Sequence, residues 1–152
     1  MKIILIVFFL ILNGCGYQAV NRTDNSNYTI SNYKFLGDAQ VNKILRRDFD
    51  KYKDNNGNFN KFNIIVKSEQ IKSNNSKKRS GEATSLTLEI SIDVEITNND
   101  NELKKLSLKE NTNYNNLDNK FELKQFEKII INDLTNKLID KIHSTLSTIK
   151  WL

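Results

Sequence analysis

The sequence is poor in the residues that carry chemistry. Cysteine, histidine, methionine and tryptophan occur once each, glycine five times and proline not at all. One cysteine excludes an intrachain disulfide, and one cysteine with one histidine excludes a Cys/His zinc cluster. The scattered glycines form no glycine-rich loop that could cradle a phosphate. The lone histidine, His143, stands between Ile142 and Ser144 and reads as a helix-surface or boundary residue rather than a catalyst or ligand. The absence of proline accompanies an abundance of asparagine and lysine, a compositional habit that implies no chemistry. From these absences no enzyme activity, cofactor or metal is expected.

Charge excludes little. The net charge is +5, spread along the chain, which permits an anionic partner without demanding one. A hydrophobic fraction of 38% and a charged fraction of 27% place the chain among globular proteins. Its 152 residues favour a single domain with a core large enough to need no disulfide or metal.

What the sequence does have begins at its N-terminus. Lys2 precedes the unbroken apolar run 3–12, half the roughly 20 residues a transmembrane helix needs and right for the h-region of a secretory signal. Leu12-Asn13-Gly14-Cys15 follows and resembles the lipobox of bacterial lipoproteins: a branched aliphatic residue, a variable one, a small one, then cysteine. Asn13 departs from the usual small or aliphatic residue at its place. The lipobox implies that the leader, residues 1–14, is removed and that Cys15 carries a diacylglycerol and usually an acylated amine. One acyl chain gives only marginal membrane binding, whereas two or three hold a protein permanently. With no second thiol, Cys15 reads as an attachment point for lipid. Residues 15–27 then read as the lipidated start and a polar tether, and residues 28–152 as a single folded domain. Asn21-Arg22-Thr23 and Asn27-Tyr28-Thr29 fit the N-glycosylation pattern, an empty match beside a bacterial lipobox.

Beyond the tether, periodicity sets out the elements. Tyr28, Ile30, Tyr33 and Phe35 predict a first strand with a phase slip between Ile30 and Tyr33. Asp38 is a candidate N-cap for a helix of about four turns carrying Val41, Ile44, Leu45, Phe49 and Tyr52 on one face. Asn55, Asn56 and Gly57 break it, and 59–71 turns to β around the apolar run 62–66. The stretch 72–81, "KSNNSKKRSG", reads as a polar basic loop. Leu86, Leu88, Ile90, Ile92, Val94 and Ile96 then alternate with polar residues without a fault, the clearest strand in the chain. After a turn at 98–101, Leu103, Leu106 and Leu108 begin a fourth strand toward Tyr114, with a slip or bulge between Leu103 and Leu106.

A long helix closes the chain over 121–149. Phe126, Ile130, Leu134, Leu138, Ile142 and Leu146 make its stripe, widened by Leu123, Ile131, Ile139 and Ile149. The order β-α-β-β-β-α predicts an α+β two-layer sandwich: a four-stranded, mostly antiparallel sheet with both helices on one face and a right-handed first crossover. The other face of the sheet is left polar and open.

Two groups remain as candidate sites. Asp93 and Glu95 project from one strand face as a possible carboxylate pair, although acids on an amphipathic strand are ordinarily its solvated side. Lys72 and Lys77, Lys78 and Arg79 form the strongest basic patch. Such a run is ordinarily a solvated hairpin tip, and its functional alternative is contact with lipid or glycolipid phosphate. Nucleic acid fits poorly, since no aromatic platform is interleaved with the basic residues.

Cys15-Gly16-Tyr17-Gln18, the stretch 79–96 ("RSGEATSLTLEISIDVEI") and the stretch 113–146 ("NYNNLDNKFELKQFEKIIINDLTNKLIDKIHSTL") together resemble the lipopolysaccharide-assembly lipoprotein family, LptE, in a divergent form. The match runs over nearly the whole mature chain. It departs at Ala19-Val20-Asn21, where the family commonly continues with proline and an aromatic residue. The resemblance implies a two-layer α/β sandwich at the periplasmic side of the outer membrane, lipid-anchored and seated as a plug in an LptD-like β-barrel. It also implies help in barrel assembly and binding of lipopolysaccharide, for which Lys77, Lys78 and Arg79 are the candidate contacts. Two other classes stay open: a periplasmic scaffold or binding module of another envelope-assembly machine, sharing the anchor and sandwich, and a free-standing lipoprotein hydrolase.

Overall fold

The computed structural model describes residues 27–53, 60–98 and 101–149. The leader, lipobox and most of the tether lie outside these residues, as do the break at Asn55, Asn56 and Gly57 and part of the turn at 98–101. Strand β1 (Tyr28–Gly37) leads into helix α1 (Ala39–Phe49) and a single 3-10 turn (Asp50–Tyr52). A meander follows, of β2 (Asn60–Lys77), β3 (Ala83–Asn98) and β4 (Asn101–Asn115), and helix α2 (Lys120–Thr148) ends the domain. The strands lie in the order β1-β2-β3-β4, with β1 parallel to β2 and the other pairs antiparallel. Helix α1 packs on β1 and β2, α2 on β3 and β4, and the helices on each other. The expected α+β two-layer sandwich, with both helices on one face, is the fold of this chain.

Local signals account for the element ends. Asp38 caps α1, its Oδ1 accepting from the amides of Gln40 and Val41, each at 2.9 Å. Asn119 caps α2 in the same way, and its Nδ2 donates to Glu122 at 2.9 Å, closing a reciprocal cap. The slip foreseen in β1 is a register shift between Ile30 and Asn32, which keeps Tyr28, Ile30, Tyr33 and Phe35 on the helix side. In β4 the pairing steps over Leu103, since Thr97 faces Glu102 and Ile96 faces Lys104. That is the foreseen bulge.

Two expectations need correction. The basic loop is shorter than 72–81, because β2 runs on to Lys77 and only the tip between Lys77 and Ala83 is a turn. No apolar pattern marks this extension. It is held by the backbone ladder and by cross-strand hydroxyls, with Ser76 Oγ 2.6 Å from Thr84 Oγ1 and 2.7 Å from Ser85 Oγ. Phe126, placed in the core stripe by spacing, is 43% exposed. Leu123, Ile130, Leu134, Leu138, Ile142 and Leu146 carry the buried stripe instead.

The corner between β1 and α1 is built on Ser68 of β2. Gly37 faces Ser68 with φ of 94°, a conformation that favours glycine. A Cβ at Gly37 would overlap the Ser68 carbonyl oxygen. The Ser68 hydroxyl is buried and donates to Asn42 Oδ1 at 2.8 Å, while Asp38 N donates to the Ser68 carbonyl at 3.2 Å. This pins the crossover in register with the sheet. Gly37→Ala is expected to destabilise the domain by about 3 kcal/mol, through left-handed strain and the clash together. An unchanged urea-unfolding midpoint would contradict this.

Candidate functional site

The alternation of β3 divides the sheet into two surfaces. Its aliphatic residues are buried under the helices, and Thr87, Glu89, Ser91, Asp93 and Glu95 point the other way. Register places mixed rows of charged, polar and aliphatic residues across that open face: Lys34, Ile65, Glu95 and Lys105 in one, Leu36, Lys67, Asp93 and Ser107 in the next. Opposite groups pair along it. Lys109 bonds Glu89 at 2.7 Å, Ser107 donates to Asp93 at 2.8 Å, and Thr87 donates to Asn113 at 2.6 Å. A shallow hollow of about 420 Å³ lies on this face, lined by Ile65, Lys67, Asp93, Glu95, Lys105 and Ser107. Ile65, Leu36 and Ile71 are 40–45% exposed on the same face. Asp93 and Glu95 therefore belong to a charge-balanced surface, with cationic and hydroxyl neighbours in register.

The structure separates the basic residues of the hairpin. Lys72 faces the helix layer and bonds Glu127 of α2, which also accepts from Tyr114 at 2.7 Å. Burial alone would raise the Glu127 carboxyl, but the bonds from Lys72 and Tyr114 outweigh it and hold the group below its ordinary range. Lys78 pairs with Glu82 at 2.9 Å across the tip, where Gly81 has φ of 86°. Lys77 and Arg79 have no ion-pair partner among the described residues. Of the candidate contacts, these two are the cations left available. Cys15 lies outside the described residues.

A second cluster surrounds His143, which sits at the boundary of the core with 12% of its side chain exposed. Its Nδ1 is 2.5 Å from the Tyr28 hydroxyl and its Nε2 is 2.5 Å from Asp48 Oδ2. Tyr52 lies over the ring at 4.3 Å and stacks on Tyr28 at 5.6 Å. The sequence marked Tyr28 and Tyr52 as core positions but gave no sign that Asp48 would reach His143 across 95 residues. Burial, with the Tyr52 and Asp48 charges, pushes the Tyr28 hydroxyl far above its ordinary value. The cluster ties the first residues of β1 to the ends of both helices. Among the described residues no group of three or more His, Cys, Asp and Glu side chains could hold a metal, and no helix is long and apolar enough to cross a membrane.

No protein-family model matches the chain, and no curated protein sequence does. Solved structures do share its fold. Lipoprotein B from Nitrosomonas europaea is similar with a TM-score of 0.58 at 14% identity, over 80% of this chain and 86% of that one. Rare lipoprotein B from Shewanella oneidensis gives a TM-score of 0.54 at 9% identity, over 76% of this chain and 96% of that one. A minor lipoprotein from Acinetobacter baumannii gives 0.52 at 15% identity, over 76% and 92%. The likeness is one of fold, and it spans nearly the full length of those domains.

Burial would raise the Asp48 carboxyl, but the His143 hydrogen bond and charge, with Lys51, hold it below its ordinary 3.8. A lowered carboxyl stabilises the fold fully above its unfolded value, and the contribution fades as pH falls through the folded one. Asp48→Asn is therefore expected to cost about 1–3 kcal/mol at neutral pH. In urea unfolding followed down to about pH 2, the gap between wild type and variant should close. A gap independent of pH would contradict the assignment.

Proposed function

We propose that this chain is a lipid-anchored outer-membrane lipoprotein that plugs an LptD-like β-barrel on its periplasmic side. In this reading it helps the barrel assemble and contacts lipopolysaccharide on its way to the outer leaflet. The observation that carries the reading is a two-layer sandwich, shared with lipoprotein B structures, whose second sheet face stays uncovered and charge-balanced among the described residues. A plug must present hydrogen-bonding surface to a water-lined wall, and the pairs Lys109–Glu89, Ser107–Asp93 and Thr87–Asn113 do so without a large net charge, around the exposed Leu36, Ile65 and Ile71. The lipobox ending at Cys15, the only thiol in the chain, supports the anchor.

The reading assigns parts to residues. Cys15 holds the acyl chains, the open face of β2, β3 and β4 meets the barrel, and the hairpin tip offers Lys77 and Arg79, with Lys78 through its exchangeable pair, to glycolipid phosphates. Arginine and lysine suit that ligand because charge-assisted bonds to phosphate are the stronger class.

Purifying the full chain from outer membranes is expected to recover a large β-barrel with it, and the chain itself should begin at an acylated Cys15. Recovery with no barrel would sink the plug reading, whatever the state of the N-terminus. Neutralising Lys77, Lys78 and Arg79 together should weaken lipopolysaccharide binding about tenfold or more at low salt, with a smaller loss at high salt. Unchanged binding would retire the hairpin tip as the contact.

A further inference from the structure

Helix α2 is covered along only part of its length. Ile139 is 4% exposed and Phe121 is 70% exposed, although the two stand on the same line of the helix, about five turns apart. The cause is α1, which flanks the later turns: Arg47 reaches Asn132 at 3.4 Å, and Thr135 and Ile139 beside it are buried. The earlier turns have no such neighbour among the described residues. Phe121 and Ile129, at 70% and 60%, are the most exposed large hydrophobic side chains on the described surface.

Charges of both signs surround them, with the cations on the Phe121 side. Glu127 is engaged by Lys72 and Tyr114, whereas Glu122, bonded to the neutral Asn119 cap, and Asp133 stay exposed on the Ile129 side of the helix. Lys124 and Lys128 are exposed on the same arc as Phe121 and Ile129, without an ion-pair partner among the described residues. At 70% and 60% exposure, Phe121 and Ile129 stand out from the helix surface.

We propose that this arc of α2 (Phe121, Lys124, Lys128 and Ile129) is a peripheral binding face for an anionic lipid bilayer. Phe121 and Ile129 enter the interface between headgroups and acyl chains, and the two lysines lay their stems along it with their ammonium groups at phosphate level. The face gives a lipid-anchored chain a second, electrostatic contact that fixes how the domain lies on the membrane. It concerns the protein outside any barrel and does not rest on the plug reading.

The test places a benzoylphenylalanine photo-cross-linker at Phe121 in the full chain, reconstituted in phosphatidylcholine vesicles with and without phosphatidylglycerol. The same probe at Asn113, on the opposite side of the sheet, is the control. Lipid adduct at position 121 should exceed that at 113, rise with phosphatidylglycerol and fall at high salt. Lys124→Gln and Lys128→Gln, both at exposed positions, should each lower it about fivefold. Adduct at 121 no greater than at 113, or indifferent to anionic lipid, would overturn the proposal.

Discussion

The apolar face of β3 has to be covered, and the rest of the domain is arranged to cover it. Leu86, Leu88, Ile90, Ile92, Val94 and Ile96 are all nearly inaccessible to solvent. Burying such side chains is worth about 1.5–3 kcal/mol each, a total comparable with the net stability of a small domain. A sheet alone cannot hide them. Helix α2 lies over β3 and β4, α1 fills the space over β1 and β2, and the corner at Gly37 and Ser68 fixes where α1 begins. The same alternation commits the other face of β3 to polar residues, so one strand decides both what is core and what is left uncovered.

That division was legible because it repeats at a short period. The six-fold alternation of β3, the cap at Asp38 and the slips near Ile30 and Leu103 are local signals, and the structure bears each out. The far end of the β2–β3 hairpin was not legible, because exposed strands held by hydroxyl and backbone bonds have the composition of a loop. Phe126 was misplaced for a different reason. Spacing says which side of a helix is apolar, but the depth of burial depends on where the neighbouring layer ends. The partners of His143 come from elements far apart in sequence, which no motif spacing records. The candidate sites divide likewise: the hairpin cations were visible as a charge run, but only the fold shows Lys72 turned toward α2 and Lys78 already paired.

The surfaces that result are of three kinds. The open sheet face is broad and charge-balanced, suited to a large polar wall. The hairpin tip is small and cationic, and the uncovered arc of α2 carries exposed apolar side chains beside two lysines, which in the proposed readings suits them to lipid phosphates and the acyl boundary. In the proposed readings all three surfaces meet the cell envelope.

The central claim is that the open face of the sheet is covered in the working state. Glu69, which pairs with Ser91 in phase with Lys67 and Asp93, lies on that face with Asp93 and Glu95, and the three can be read by carbodiimide labelling of carboxylates. The measurement compares labelling in native membranes with labelling of the same chain extracted and separated from its partners. The account predicts that these three carboxylates are shielded in the membrane and become reactive on extraction. Equal labelling in both states would contradict it.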